Sequence, residues 1–196
     1  MKLLILGCGQ AGMEIARQGK KLGWEIKGTT TTPARVEEIS TVVDEAIVLV
    51  GSDREAVKKA AEGCDAIVVS VSPSAVRSAK KEDRGPIYQE VLVESGKSAA
   101  AACDRVVFCS SISVYGDGTQ EPGDVITEAT ERQLGNGEPS TEFFAAGEDT
   151  ALAIPGGTTH PAAMTLSSPM SVPESSFAPM PTSTSRRTRT PCSTAA

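Results

Sequence analysis

The first twelve residues constrain the chain most. Leu3 to Leu6 form an unbroken apolar run, and Gly7, Gly9 and Gly12 then spell G-x-G-x-x-G. An apolar run closed by glycine reads as a strand buried on both faces of a parallel sheet. Each glycine has its own task in such a motif. Gly7 allows the tight turn out of the strand. Gly9 lacks a Cβ, so a pyrophosphate can approach the backbone. Gly12 lets the following helix pack closely on the strand. Gln10 and Ala11 open that helix, whose free N–H groups and positive dipole end suit phosphate. The motif stands at the head of a β-α-β series, which is the context that makes it a dinucleotide site rather than a structural turn.

The pattern continues in order. Met13 to Leu22 has the spacing of a helix with one buried face, stopped by Gly23. Trp24–Thr29 reads as a second strand. Thr32-Pro33 then predicts a helix start, with Thr32 as N-cap. Ala46–Val50 reads as the third strand. Ser52-Asp53 caps a helix that runs to Gly63, and Asp65–Val71 reads as the fourth strand. A polar connection over 73–86 precedes a long helix over 87–102, and Val106–Cys109 is the fifth strand. Five strands alternating with helices predict an α/β fold, a doubly wound parallel sheet of Rossmann type. Ser70 and Val71, at the end of the fourth strand, complete the predicted cofactor-binding set.

Composition narrows the function classes. The net charge of −6 argues against nucleic-acid and anionic membrane partners. No apolar stretch is long enough to span a bilayer, and no leader pattern precedes the first strand, so the expected location is cytoplasmic. The five cysteines are widely spaced without C-x-x-C, and His160 is the single histidine. That predicts neither a disulfide framework nor a metal site. Cys8 lies at a helix N-terminus. It reads either as a dipole-favoured thiolate that bound dinucleotide would shield, or as an inert filler.

The fifth strand runs into Ser110-Ser111-Ile112-Ser113-Val114-Tyr115-Gly116. With Glu62-Gly63-Cys64-Asp65-Ala66 and the glycine motif, this resembles the extended short-chain dehydrogenase/reductase group, the NAD-dependent epimerase/dehydratases. It is most similar to the atypical bacterial branch that starts with G-x-G-x-x-G. The resemblance covers residues 1–157. It implies an NAD(P)-dependent oxidoreductase or epimerase acting on a small molecule, such as a nucleotide sugar. It also implies that Ser111, with Ser113 beside it, hydrogen-bonds the substrate. The plainer alternative is that both serines satisfy backbone groups in a turn.

An NAD-preferring fold carries an acid at the end of the second strand. The resemblance puts Thr30 there, and no acid lies between Glu25 and Glu37. Thr30 and Arg35 would instead hold a 2′-phosphate, so NADP is favoured over NAD. Against this stands the reading of the threonines as a loop and cap.

Two departures matter. The group's Tyr-x-x-x-Lys dyad aligns with Phe144 and Glu148, which can neither give a proton from a phenol nor supply a cation. The dyad's chemistry is therefore absent, and a non-catalytic NADPH sensor or inactive remnant is the rival reading. The second departure is the chain after residue 157. Residues 158–196 are rich in Ser, Thr, Pro and Ala, and read as a low-complexity, disordered tail. Truncation or an out-of-frame translation explains the switch best, because it falls where a core strand is due. The sequence leaves the oligomeric state open, a homodimer included.

Overall fold

The computed structural model describes residues 1–116, 125–127, 130–135 and 137–154, and the backbone of 164–166. Five parallel strands form the sheet: β1 (Lys2–Leu6), β2 (Glu25–Thr30), β3 (Glu45–Val48), β4 (Ala66–Val69) and β5 (Val106–Cys109). Their spatial order is β3-β2-β1-β4-β5. The doubly wound parallel sheet expected from the alternation is therefore present. A three-residue strand, β6 (Met164–Leu166), pairs antiparallel with the outer side of β5. It lies within the segment where the sequence predicts no strand. The rest of that expected tail lies outside the described residues.

The helices are α1 (Gln10–Lys21), α2 (Val36–Ser40), α3 (Arg54–Ala60), α4 (Arg84–Tyr88), α5 (Ser95–Ala102) and α6 (Pro139–Leu152). Alternating strand residues feed two separate cores. Leu4, Leu6, Ile67, Val69, Val106 and Phe108 pack on one face with α3, α5 and α6. Leu3, Ile5, Val68 and Val107 pack on the other with Met13, Ala16 and Ile39 from α1 and α2. This is the period of two expected for a strand buried on both sides.

Local chemistry accounts for the ends of the elements. Gly23 and Gly63 stand at φ +73° and +72°, where other residues are strained. Asp53 caps α3 by accepting from the Ala56 N–H at 3.0 Å. Thr32 occupies an N-cap position without a side-chain capping bond, and a 3-10 turn, Pro33–Arg35, precedes α2. The long helix predicted over 87–102 begins three residues earlier and contains a π-helical turn, Gln89–Glu94, between α4 and α5. Among the described residues, no helix is long and apolar enough to cross a membrane.

Candidate functional site

β1, β2 and β4 are neighbours, and the order of the strands reverses between β1 and β4. Such a reversal opens a crevice beyond the carboxyl ends of the strands. A cavity of about 490 Å³ lies there. Its walls come from Gly7–Gly9 after β1, Thr29–Thr32 at the end of β2, Leu49–Ser52 after β3 and Ser70–Ala75 after β4.

The glycine turn is built tightly. Gly7 has φ +89°, and a Cβ on it would stand 2.9 Å from Val71 Cα. A Cβ on Gly12 would stand 2.5 Å from the Gly7 carbonyl oxygen, so this glycine brings α1 against the turn. A Cβ on Gly9 would meet nothing within 4 Å. Among the described residues, the space beside Gly9 is therefore open to that distance. Two hydroxyls pin the turn from either side. Thr29 Oγ1 accepts from the Gly7 N–H at 2.9 Å, and Ser70 Oγ donates to the Gly7 carbonyl at 2.8 Å. The sequence offers Thr29 as one of four threonines whose hydroxyls suit a 2′-phosphate, not as a support of the turn. The signal available was its place at the end of β2, one strand over from the glycine turn.

The other predicted cofactor residues divide into two groups. Thr30, Arg35, Ser70 and Val71 line the cavity with Gly7 and Gly9. Gln10 and Ala11 are exposed in the first turn of α1 and, like Gly12, are not among its lining residues. The Thr30 hydroxyl accepts from the Thr32 N–H at 3.1 Å. Arg35 donates through Nε to Glu38 at 2.9 Å, which raises its already high pKa. No sequence signal points to the far wall. Glu90, Val91 and Ser95 reach the cavity from the π-helical turn and the start of α5. A π turn at a cavity wall is a recurrent feature of functional sites.

Cys8 settles between its two readings. It is 1% exposed, and a Cβ on Gly28 would stand 2.6 Å from its sulfur. Burial pushes its thiol up to about 11, against the weaker pull of its contact with Thr29. Of the two readings, this burial supports the packed, neutral filler, because desolvation outweighs Thr29 and Arg35.

The serine turn after β5 is not part of the cavity wall. Ser111 caps a 3-10 turn, Ile112–Tyr115, by accepting from the Ser113 N–H at 3.2 Å. The Ser113 hydroxyl is buried and donates to Ser111 Oγ at 2.9 Å. Thr141 Oγ1 on α6 donates to the Ser113 carbonyl at 2.8 Å. Glu148, one of the two dyad positions, is 3% exposed. Arg132 Nη1 reaches Glu148 at 3.3 Å and Asp149 at 2.9 Å. Burial raises the Glu148 carboxyl above its ordinary value. The Ser110 hydroxyl, buried without a partner at good geometry, and Arg132 pull the other way. Phe144 packs against the core formed by α3, α5 and α6.

Solved structures share this architecture at low sequence identity. The enzyme WbmH of Bordetella bronchiseptica, in complex with NAD+, has a TM-score of 0.59 at 20% identity, covering 76% of this chain and 50% of that one. The fold is the Rossmann fold of such dehydrogenase and epimerase structures. A UDP-glucose-4-epimerase from Stenotrophomonas maltophila, with bound NAD and formylated UDP-arabinopyranose, gives 0.62 at 17% identity over 76% of this chain and 47% of that one. UDP-glucose 4-epimerase of Thermotoga maritima, with UDP-glucose, gives 0.65 at 11% identity over 80% and 53%. The chain thus spans about half the length of these Rossmann structures. The family described as alanine dehydrogenase/PNT, C-terminal domain, matches residues 1–80. No curated protein matches the chain in sequence.

Proposed function

We propose that this protein binds a nicotinamide dinucleotide and prefers NADP to NAD. One observation carries the reading. The glycine turn, Thr30–Thr32 and Arg35 share a single cavity, in which Glu90 is the only carboxylate among the described residues. The open space at Gly9 fits a pyrophosphate, with Gln10, Ala11 and Gly12 supplying the helix end beside it. Ser70 and Val71 form the wall beside the turn, with Ser70 bonded to the Gly7 carbonyl. The threonine hydroxyls and Arg35 would take the 2′-phosphate. That phosphate has to share Arg35 with Glu38, so the preference it confers is modest.

The protein is then an oxidoreductase or epimerase of the epimerase/dehydratase type, working on a hydroxyl or carbonyl of a nucleotide sugar or similar small molecule. Bound in this cavity, the nicotinamide supplies a site for hydride exchange. In this chain Ser111 is the residue for the substrate oxygen: it is half-buried, whereas Ser113 is buried and already donates to it. The NAD bound in two structural neighbours, and the UDP sugar bound in one of them, support the cofactor and substrate classes. A second reading, a sensor that binds NADPH without turnover, is favoured by Phe144 and by the locking of Glu148 in an ion pair.

Calorimetry with NADPH and NADH, followed by nicotinamide absorbance with UDP-glucose present, tests both. Tighter binding of NADPH is expected, and tighter NADH would overturn the phosphate assignment. Turnover lost in Ser111→Ala supports the enzyme. Binding with no turnover in the wild type supports the sensor.

A further inference from the structure

β4 and β5 run parallel at a constant offset, with Ile67 beside Val106, Val68 beside Val107 and Val69 beside Phe108. Counted back along both segments, the same offset relates Cys64 to Cys103, each of which stands ahead of its strand with a bend after it, at Asp65 and at Asp104. The two segments are still in contact there. The Ile67 N–H donates to the Arg105 carbonyl at 2.9 Å, and Cys103 Sγ lies 3.8 Å from the carbonyl oxygen of Asp65, the residue after Cys64. Both cysteines are half-buried, and both pack against the same core, the one that contains Val106 and Phe108. Neighbouring strands stand about 4.8 Å apart. A disulfide spans Cα separations of about 4.4–6.8 Å.

We propose that Cys64 and Cys103 are an oxidisable pair that closes into an intramolecular disulfide in the presence of a peroxide. The Cys64 thiolate attacks one peroxide oxygen, the O–O bond breaks, and a sulfenic acid forms as the first water leaves. The Cys103 sulfur then attacks the sulfenic sulfur. The S–S bond forms, and the hydroxide departs with the Cys103 proton as the second water. Both sulfurs are oxidised and the peroxide is reduced. Cys64 is the thiol with a cation beside it: Lys27 Nζ donates to the carbonyls of Ala60 at 2.9 Å and Glu62 at 3.4 Å, although burial holds the Cys64 thiol above its ordinary value. The other charges acting on it are those of Lys2, Cys103 and Glu25.

The crosslink would close the base of the β4-to-β5 crossover. Ser70–Ala75, Glu90, Val91 and Ser95 of the cavity wall all lie between its two ends. Constraining that loop in the unfolded chain should raise the melting temperature.

The full chain is reduced, exposed to hydrogen peroxide, alkylated and digested with trypsin. Peptides 60–77 and 98–105 should appear joined. The joined species should vanish in Cys64→Ser and in Cys103→Ser, and persist in Cys8→Ser and Cys109→Ser. The oxidised wild type should melt higher than the reduced one, and Cys103→Ser should show no such rise. Four outcomes would overturn the pairing: Cys64 joined to another cysteine, links between chains, sulfinic acids without the joined peptide, or both thiols still alkylated.

Discussion

The glycine turn after β1 and the serine turn after β5 sit at the same end of one parallel sheet, yet they are held in opposite ways. The glycine turn is fixed from behind, by Thr29 and Ser70, and its front faces a cavity. Among the described residues, nothing lies within 4 Å of where a Gly9 Cβ would stand. The serine turn is covered. Ser113 is bonded to Ser111, Thr141 holds the Ser113 carbonyl, and the Gln133 N–H bonds the Val114 carbonyl at 2.9 Å. Arg132, one residue before Gln133, is anchored on α6 through Glu148, Asp149 and the Ala145 carbonyl. The first region is preorganised to receive something. The second has spent most of its polar groups on its own structure. Binding capacity and catalytic capacity can therefore part company within one fold.

The largest break in this comparison should come from Glu148→Lys, which restores the charge that the Tyr-x-x-x-Lys pattern has there. It would set two cations together in a buried place. Removing one partner of a buried ion pair costs about 3–5 kcal/mol, and reversing its charge should cost at least as much. Urea denaturation reads the loss. Unchanged stability would mean that the second region is looser than its contacts indicate.

Two glycines separate fold from binding in the first region. Gly12→Val should cost about 1–3 kcal/mol, because its Cβ would press on the Gly7 carbonyl and on Ser70 Oγ. Gly9→Val meets no protein atom at Cβ. It should leave the melting temperature nearly unchanged while abolishing NADPH binding in calorimetry. Should Gly9→Val bind normally, the cavity would no longer be a pyrophosphate site.

Thr141→Val probes the second region more gently. It removes a buried hydroxyl and leaves the Ser113 carbonyl without that bond, at about 1–3 kcal/mol. Thermal melting reads the loss, and NADPH affinity should stay the same, because the serine turn does not line the cavity.

The same contrast explains what could be read from sequence. β5 matches its expected span residue for residue, because Val106–Cys109 is an apolar run between polar flanks. β4 is shorter than predicted: Asp65, Ser70 and Val71 fall outside it, and the last two line the cavity. The glycine turn was legible because its chemistry is local, within twelve residues. The ion pair of Arg132 with Glu148 was not, because the two residues belong to different elements and only the packing of α6 brings them together. The π turn was equally hidden, since a single helical turn with wider bonding leaves the apolar spacing almost unaltered. β6 had no signal at all, being three residues in a Ser/Thr/Pro-rich context.

The smallest effect concerns the pH dependence of Glu148. Glu148→Gln keeps the shape of the side chain and removes its titration. Burial holds the Glu148 carboxyl above its ordinary value in the folded protein. There it keeps its proton at pH values where the unfolded chain, near the usual value of about 4.3, has already lost it. For a group raised in this way, the folded state binds more protons than the unfolded one across that window. Its stabilisation is complete below the unfolded value and is lost as pH rises through the folded one. The exposed carboxylates Glu14, Glu38 and Asp44 and the half-buried Glu94 are shifted downward and act with the opposite sign, but they are common to both proteins and cancel in a difference. The stability of Glu148→Gln relative to wild type should therefore rise from pH 4 toward neutrality in paired urea titrations. A relative stability that falls instead would mean that Arg132 outweighs desolvation and that the charged pair itself holds α6 in place.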